Sequence, residues 1–379
     1  MAGIYIHIPF CKQACSYCNF HFSTSLKLKE EMIDAICLEI KSRNNYLNSS
    51  IIDSIYFGGG TPSLLEEKDL TKIWQTLTEN FKIAPNAEIT LEANPDDLTS
   101  SKLDVLVRTP INRLSIGVQS FFDDDLKYMR RAHNAEEAMR CLDRANDKGF
   151  SNITLDLIYG TPTLTSKNWE KNLQIVSESG VPHLSAYQLT IENGTPLQAL
   201  IARGKKAAPP EEKAVAQFNV LMDWAKESGF DHYEISNFAK PGHRAIHNSS
   251  YWSGDPYLGI GPSAHSFNGH SRQWNIAHNP KYINALLNNK SATSESEELK
   301  PSDLYNEYIM TGLRLSRGIE EEPIIAFGST FLNIFKQNIS QHIDRGYVLY
   351  SAGRYTLTRS GKVFADRIAS DCFVVDGGQ

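Results

Sequence analysis

Three cysteines fall within eight residues, Cys11-Lys-Gln-Ala-Cys15-Ser-Tyr-Cys18, while Cys37, Cys141 and Cys372 are scattered over the rest of the chain. A disulfide framework spreads its cysteines more evenly, so these are read as reduced thiols. Six cysteines in a chain of this length give such a three-position pattern by chance roughly once in a thousand sequences. Two metal chemistries suit it. Zinc could take the three thiolates with a histidine such as His21 as fourth ligand, although zinc sites usually come as paired C-x2-C knuckles. An iron-sulfur cubane suits it better, because four irons and three cysteines leave one iron open to a substrate or cofactor.

The elements that must hold these thiols follow from periodicity. Short β-branched or aromatic runs at Gly3 to Ile8, Asp53 to Phe57, Glu88 to Glu92, Arg113 to Gly117, Asn152 to Leu157 and His183 to Leu189 alternate with segments of helical period. Met32, Ile33, Ile36, Cys37 and Ile40 share one helix face, as do Ala138, Cys141, Leu142 and Ala145, which makes Cys37 and Cys141 core residues. Six βα units are too few for a closed eight-fold barrel of about 250 residues, so the α/β pattern predicts a partial (β/α)6 barrel with its chemistry at the strand C-terminal ends. The cysteines follow the first strand there. Gly58-Gly59-Gly60-Thr61-Pro62 follows the second, where glycines let the backbone approach a ligand, and no Gly-Lys-Ser/Thr follows to make a Walker loop.

After about residue 205 the alternation stops. The stretch from Ser236 to Asn275, rich in Gly, Pro, Ser, Asn and aromatics, is expected to be an irregular functional loop. From Lys300 the pattern gives helices, a hairpin of Tyr347 to Tyr350 and Arg354 to Leu357, and a last helix, an α+β unit of winged-helix type. The expected division is 1–205, 206–295 and 296–379.

Lys and Arg number 38 against 44 Asp and Glu, a net charge of -6, so there is no general basic field for nucleic acid. Arg345, Arg354, Arg359, Lys362 and Arg367 in the tail do not outweigh that balance. No apolar run approaches the roughly 18 residues of a membrane span, and no basic leader precedes an apolar core, so the expectation is a soluble, cytoplasmic protein.

Taken together, CxxxCxYC after a Tyr-Ile-His-Ile-Pro strand and the GGGTP loop resemble the radical S-adenosylmethionine (SAM) superfamily. That resemblance implies a 4Fe-4S cluster on Cys11, Cys15 and Cys18, with the amino and carboxylate groups of SAM on the open iron and the glycine loop binding its methionine part. It also implies a SAM pocket of Tyr5, Gly59, Gly60, Thr61, Glu92 (LEANP), Gln119 (GVQSF), Arg131 (RRAH) and Asp156 (LDLIYG), with Tyr17 covering the cluster. Carboxylates and an Arg fork suit a ligand carrying a sulfonium, an amino group, a carboxylate and a ribose diol.

Within that superfamily, EITLEANP, RLSIGVQSF, LSAYQLTIE and YLGIGPSAHSF resemble the branch of oxygen-independent coproporphyrinogen III dehydrogenases (HemN) and their heme-chaperone relatives (HemW). The dehydrogenases carry a fourth cysteine two places after the third, where this chain has Phe20, and an extension before the first strand, where this chain has ten residues before Cys11. His247-Asn248-Ser249-Ser250-Tyr251-Trp252 matches the HNxxYW motif of the chaperones, and an imidazole is a good axial ligand for heme iron. The resemblance therefore implies heme held through His247 and handed to respiratory heme proteins, with transient docking at the inner face of the membrane and a cluster-stabilised homodimer. The rival it leaves is radical decarboxylation of coproporphyrinogen. His7 and His265 are expected to pack or support neighbours, and Arg244, beside His243, to pair with a heme propionate.

Overall fold

Apolar and polar side chains alternate along the first-half strands, and a strand sends successive side chains to opposite faces. The computed structural model describes residues 1–48 and 50–375. Strands β1 (Gly3–Ile8), β2 (Ile52–Gly59), β3 (Ile83–Ala93), β4 (Arg113–Gln119), β5 (Ile153–Tyr159) and β6 (His183–Gln188) lie side by side in that order, all parallel. Between them run α1 (Lys29–Ser42), α2 (Glu67–Asn80), α3 (Ser100–Val107), α4 (Asp123–Met129), α5 (Ala135–Asp147) and α6 (Ser166–Glu178). This is the expected partial barrel.

Ile4, Ile6, Ile8, Ile55, Leu91, Leu114, Ile116, Leu155 and Leu184 are buried in one core with Met32, Ile36 and Ile40 of α1. Each such side chain contributes roughly 1.5–3 kcal/mol by leaving water. Cys37 and Cys141 lie in the same core, as their helix positions predict. The intervening residues, among them Tyr5, Tyr56, Glu92, Arg113, Ser115, Asp156 and Ser185, line a cavity instead. A closed eight-stranded barrel fills its centre with branched apolar side chains; here the centre is polar and open.

The stretch from Ser236 to Asn275 is not an irregular loop. After α7 (Pro196–Ala202) and α8 (Glu211–Glu227) it builds β8 (Asn237–Ala239), α9 (Ile246–Ser253), β9 (Tyr257–Ile260), β10 (His265–Phe267) and β11 (Ser271–Asn275), preceded by β7 (Asp231–Glu234). β8 pairs antiparallel with β6, β9 pairs parallel with β1, and after α10 (Asn279–Leu287) β12 (Thr293–Glu298) completes a sheet of twelve strands among the described residues. Strands of three to five residues carry too few alternations to be read from sequence. Long-range bonds hold them: buried Glu39 of α1 accepts from Gly261 N–H (2.8 Å), Asn275 Nδ2 (2.7 Å) and the Tyr282 hydroxyl (2.6 Å).

The tail forms α11 (Pro301–Arg314), β13 (Ile319–Glu320), α12 (Glu321–Phe327), α13 (Ser329–Asp344), the hairpin β14 (Val348–Ser351) and β15 (Arg354–Leu357), then α14 (Arg359–Lys362) and α15 (Ala365–Asp371). Its three-stranded sheet and helices enclose a second core around Tyr305, Ile309, Phe335 and Ile368. Arg354 pairs with Glu320, and Arg359 with Asp223. Among the described residues no helix is long and apolar enough to cross a membrane.

Candidate functional site

Cys11, Cys15 and Cys18 lie half-buried on the segment leaving the C-terminal end of β1, and none is disulfide-bonded. Backbone bonds fix that segment: Cys11 N–H donates to Ser23 O (3.0 Å), Ser16 N–H to Met129 O (3.0 Å) and Leu197 N–H to Ser16 O (2.7 Å). Arg131 reaches in from the end of α4. Its Nη1 donates to Cys15 Sγ (3.3 Å) and Tyr17 Oη (3.4 Å), its Nη2 to Asn94 Oδ1 (2.5 Å) and Gly117 O (2.8 Å). Its buried Nε has no partner among the described residues.

Burial pushes the Cys11 thiol up to about 11 and raises Cys18 as well. Three thiolates here therefore call for positive charge beyond one guanidinium, which bound metal would supply. Among the described residues no three His, Cys, Asp or Glu side chains are placed to hold a single metal ion. His21, the candidate fourth zinc ligand, is bonded through Nε2 to Asn279 Oδ1 (2.7 Å). A cubane takes each thiolate on a different iron, so its ligands need to border a common space rather than meet at a point.

They do border one. A cavity of about 580 Å³ is lined by all three cysteines and by every residue expected in the SAM pocket, Tyr5, Tyr17, Gly59, Gly60, Thr61, Glu92, Gln119, Arg131 and Asp156. Gly59 has φ +104, and a Cβ there would lie 2.5 Å from the His7 ring. Its N–H donates to Glu92 Oε2 (3.1 Å), while Glu92 Oε1 accepts from the Tyr56 hydroxyl (2.9 Å). Burial pushes Glu92 up to about 7 against those two bonds. Asp156 is also pushed up to about 7, by burial and then by the Glu92 charge, and takes the Ser115 hydroxyl at 3.4 Å. Both carboxyls are poised to ionise when a cation arrives.

The opposite, N-terminal end of the strands is closed by α9. Glu88 of β3 accepts from Ile246 N–H and His247 N–H (2.9 Å each), capping a helix whose own N-cap, Ala245, has no side-chain acceptor. His247 lines the cavity here and is 2% exposed. Its Nδ1 meets Ser54 Oγ at 2.9 Å and its Nε2 the Tyr251 hydroxyl at 3.0 Å, with the Tyr56 ring stacked 5.1 Å away. Burial, then the Arg113 charge, lowers it to about 3, so the imidazole is neutral. Gly3, across from His247, and Ile8, before the cysteines, stand five residues apart on β1, so the two ends are roughly 17 Å apart.

Residues 5–176 match the Radical SAM superfamily and residues 299–364 the HemN C-terminal domain. Over 371 residues the chain is 31% identical to "Heme chaperone HemW" of Bacillus subtilis (strain 168), covering 97% of this chain and 98% of that protein. This chain belongs to the HemW family of radical SAM proteins. A Synechocystis relative of the same name is 35% identical over 83% of this chain and 78% of its own length. The Escherichia coli coproporphyrinogen III oxidase (HemN) superposes with a TM-score of 0.84 over 98% of this chain and 90% of that one, at 22% identity, a likeness of fold. Membership of this superfamily implies a 4Fe-4S cluster and SAM.

Other expectations fare differently. Arg244 pairs with exposed Asp231 (3.6 Å), lies 5.4 Å over the Tyr233 ring and does not line the cavity, so it is not placed for a propionate there. His7 supports its neighbours, meeting the Tyr5 hydroxyl through Nδ1 (3.1 Å) and His21 O through Nε2 (2.8 Å). The sequence reading missed Tyr56, Glu88, Asn94 and Arg113. Their signal was a polar residue at every second strand position, where a parallel sheet covered on both faces would be apolar.

Proposed function

We propose that this chain is a heme chaperone, which holds heme as cargo and passes it to heme-dependent respiratory proteins while carrying a 4Fe-4S cluster and SAM. The observation that carries the reading is the near full-length identity to a protein named for that role. Phe20, where the dehydrogenases resembled above carry a cysteine, supports it.

Cys11, Cys15 and Cys18 would hold the cluster, which supplies an open iron and a transferable electron when bound. Arg131 keeps a fixed positive charge against Cys15 and Tyr17. Gly59 and Gly60 let the loop backbone press against the His7 ring and the Ile8 and Phe10 backbone, where a Cβ would clash, and so line the cavity beside Thr61. Glu92 and Asp156 would supply acceptors and negative charge to a ligand bearing a diol and a sulfonium, with Tyr5 and Gln119 completing the wall. His247, neutral here, would take heme iron on Nε2 once the Tyr251 hydroxyl gives that atom up. That exchange requires the Tyr251 side chain, one turn on in the same helix, to turn away.

We further propose that residues 1–205, 206–295 and 296–379 act as barrel, flanking segment and accessory unit. The protein would work in the cytoplasm, docking transiently at the inner face of the membrane, with a homodimer as its assembled form. The decarboxylase alternative rests on the likeness of fold. Anaerobic incubation with reductant, SAM and coproporphyrinogen should yield no protoporphyrinogen, while heme-loaded protein should restore spectral heme to an apo-cytochrome of the b type. Multiple turnovers of coproporphyrinogen with no heme transfer would reverse the reading.

A further inference from the structure

Tyr56 touches both Glu92 and His247. Its hydroxyl donates to Glu92 Oε1 (2.9 Å), and Glu92 Oε2 accepts the Gly59 N–H (3.1 Å) of the glycine loop. Its ring lies face to face with His247, centroids 5.1 Å apart and planes within 22°. The Gly58 side of the ring is closely packed. A Cβ added to Gly58 would fall 2.9 Å from a Tyr56 ring carbon and 3.0 Å from Glu92 Oε1, so backbone, ring and carboxylate are already packed together. Backed by that packed side, the ring cannot tilt without changing its stack on the imidazole.

Resting on the function proposed above, we propose that Tyr56 is a positioning residue coupling Glu92 to His247: a diol ligand taking Glu92 releases the Tyr56 hydroxyl, unpins His247 from Tyr251, and tightens heme binding. Glu92 Oε1 is the shared acceptor. A ribose brings two O–H donors to the carboxylate that Tyr56 now occupies, and the displaced phenol loses the polar bond that anchors its ring on the imidazole. In the closed state His247 Nε2 is engaged by Tyr251; in the open state it is free for iron. Apparent heme affinity scales with the open fraction, so a ligand that favours the open state raises it. The coupling is reciprocal, heme tightening SAM by the same factor.

The test uses the full chain, reconstituted anaerobically. Hemin is titrated by its Soret band with and without saturating SAM, and SAM by equilibrium dialysis with and without hemin. Wild type should show both affinities rising by one common factor of roughly five or more. Tyr56→Phe keeps the ring and loses the anchor, so it should bind hemin without SAM about as tightly as wild type does with it, with the same Soret position and no further response to SAM. A structural role alone would not produce that gain. Wild type that binds no hemin overturns the heme reading and this coupling with it. Wild type that binds hemin and SAM independently overturns the coupling alone, and coupling that survives in Tyr56→Phe overturns the assignment to Tyr56.

Discussion

Glu92 and Asp156 hold their protons up to about pH 7 in the folded chain, whereas the ordinary values for these groups are 4.5 and 3.8. Between those limits the native state binds more protons than the unfolded one, so their contribution to stability is full below about pH 4 and is lost as pH rises to 7. Buried His7 and His133, each lowered to about 4, act in the opposite sense as pH falls. A difference measurement separates the two. The melting temperature of Glu92→Gln relative to wild type should rise between pH 5 and pH 8, by the equivalent of about 3 kcal/mol at most, and saturating SAM at pH 8 should narrow the gap. A gap independent of pH would show that the carboxylate is not strained in the empty cavity.

α9 shows how an element is set by residues far from it in sequence. Its first-turn N–H groups are satisfied by Glu88, about 158 positions earlier, which also lies 3.5 Å from Arg113 Nε. Glu88→Ala would orphan two backbone donors and a buried guanidinium together, so urea unfolding should show a loss of about 3–5 kcal/mol. A loss below about 1 kcal/mol would mean that α9 is held mainly by packing. The same contrast explains what the sequence made legible. β1 was read with its observed bounds because Ile4, Ile6 and Ile8 alternate with Tyr5 and His7 on a six-residue strand. The thiols and the glycine loop could be placed because each follows such a strand; the residues expected around SAM came from the family resemblance, and one of them, Arg131, lies beyond α4. α9 and its neighbours could not, because Glu88, Glu39 and Ser54 supply their partners across the fold, and no local period records such a bond.

Across the whole molecule one cavity, with charged and polar side chains reaching into it, runs from the thiols at one end of the strands to His247 at the other. The C-terminal unit leans on the outer side of its closing helix: Arg314 of α11 stacks 4.9 Å over Trp252 of α9 and pairs with Asp366 (2.5 Å). Trp252 and His247 thus tie one short helix to the tail on one side and to the barrel on the other. In the proposed function, cluster chemistry and cargo binding would belong to separate ends of this shared space. The most direct test is anaerobic hemin titration of wild type and His247→Ala, with iron and SAM measured on the same samples. The account predicts one hemin per wild-type chain and at least a tenfold weaker affinity in the variant, with the cluster iron and SAM binding retained. Hemin bound equally well by His247→Ala would contradict it.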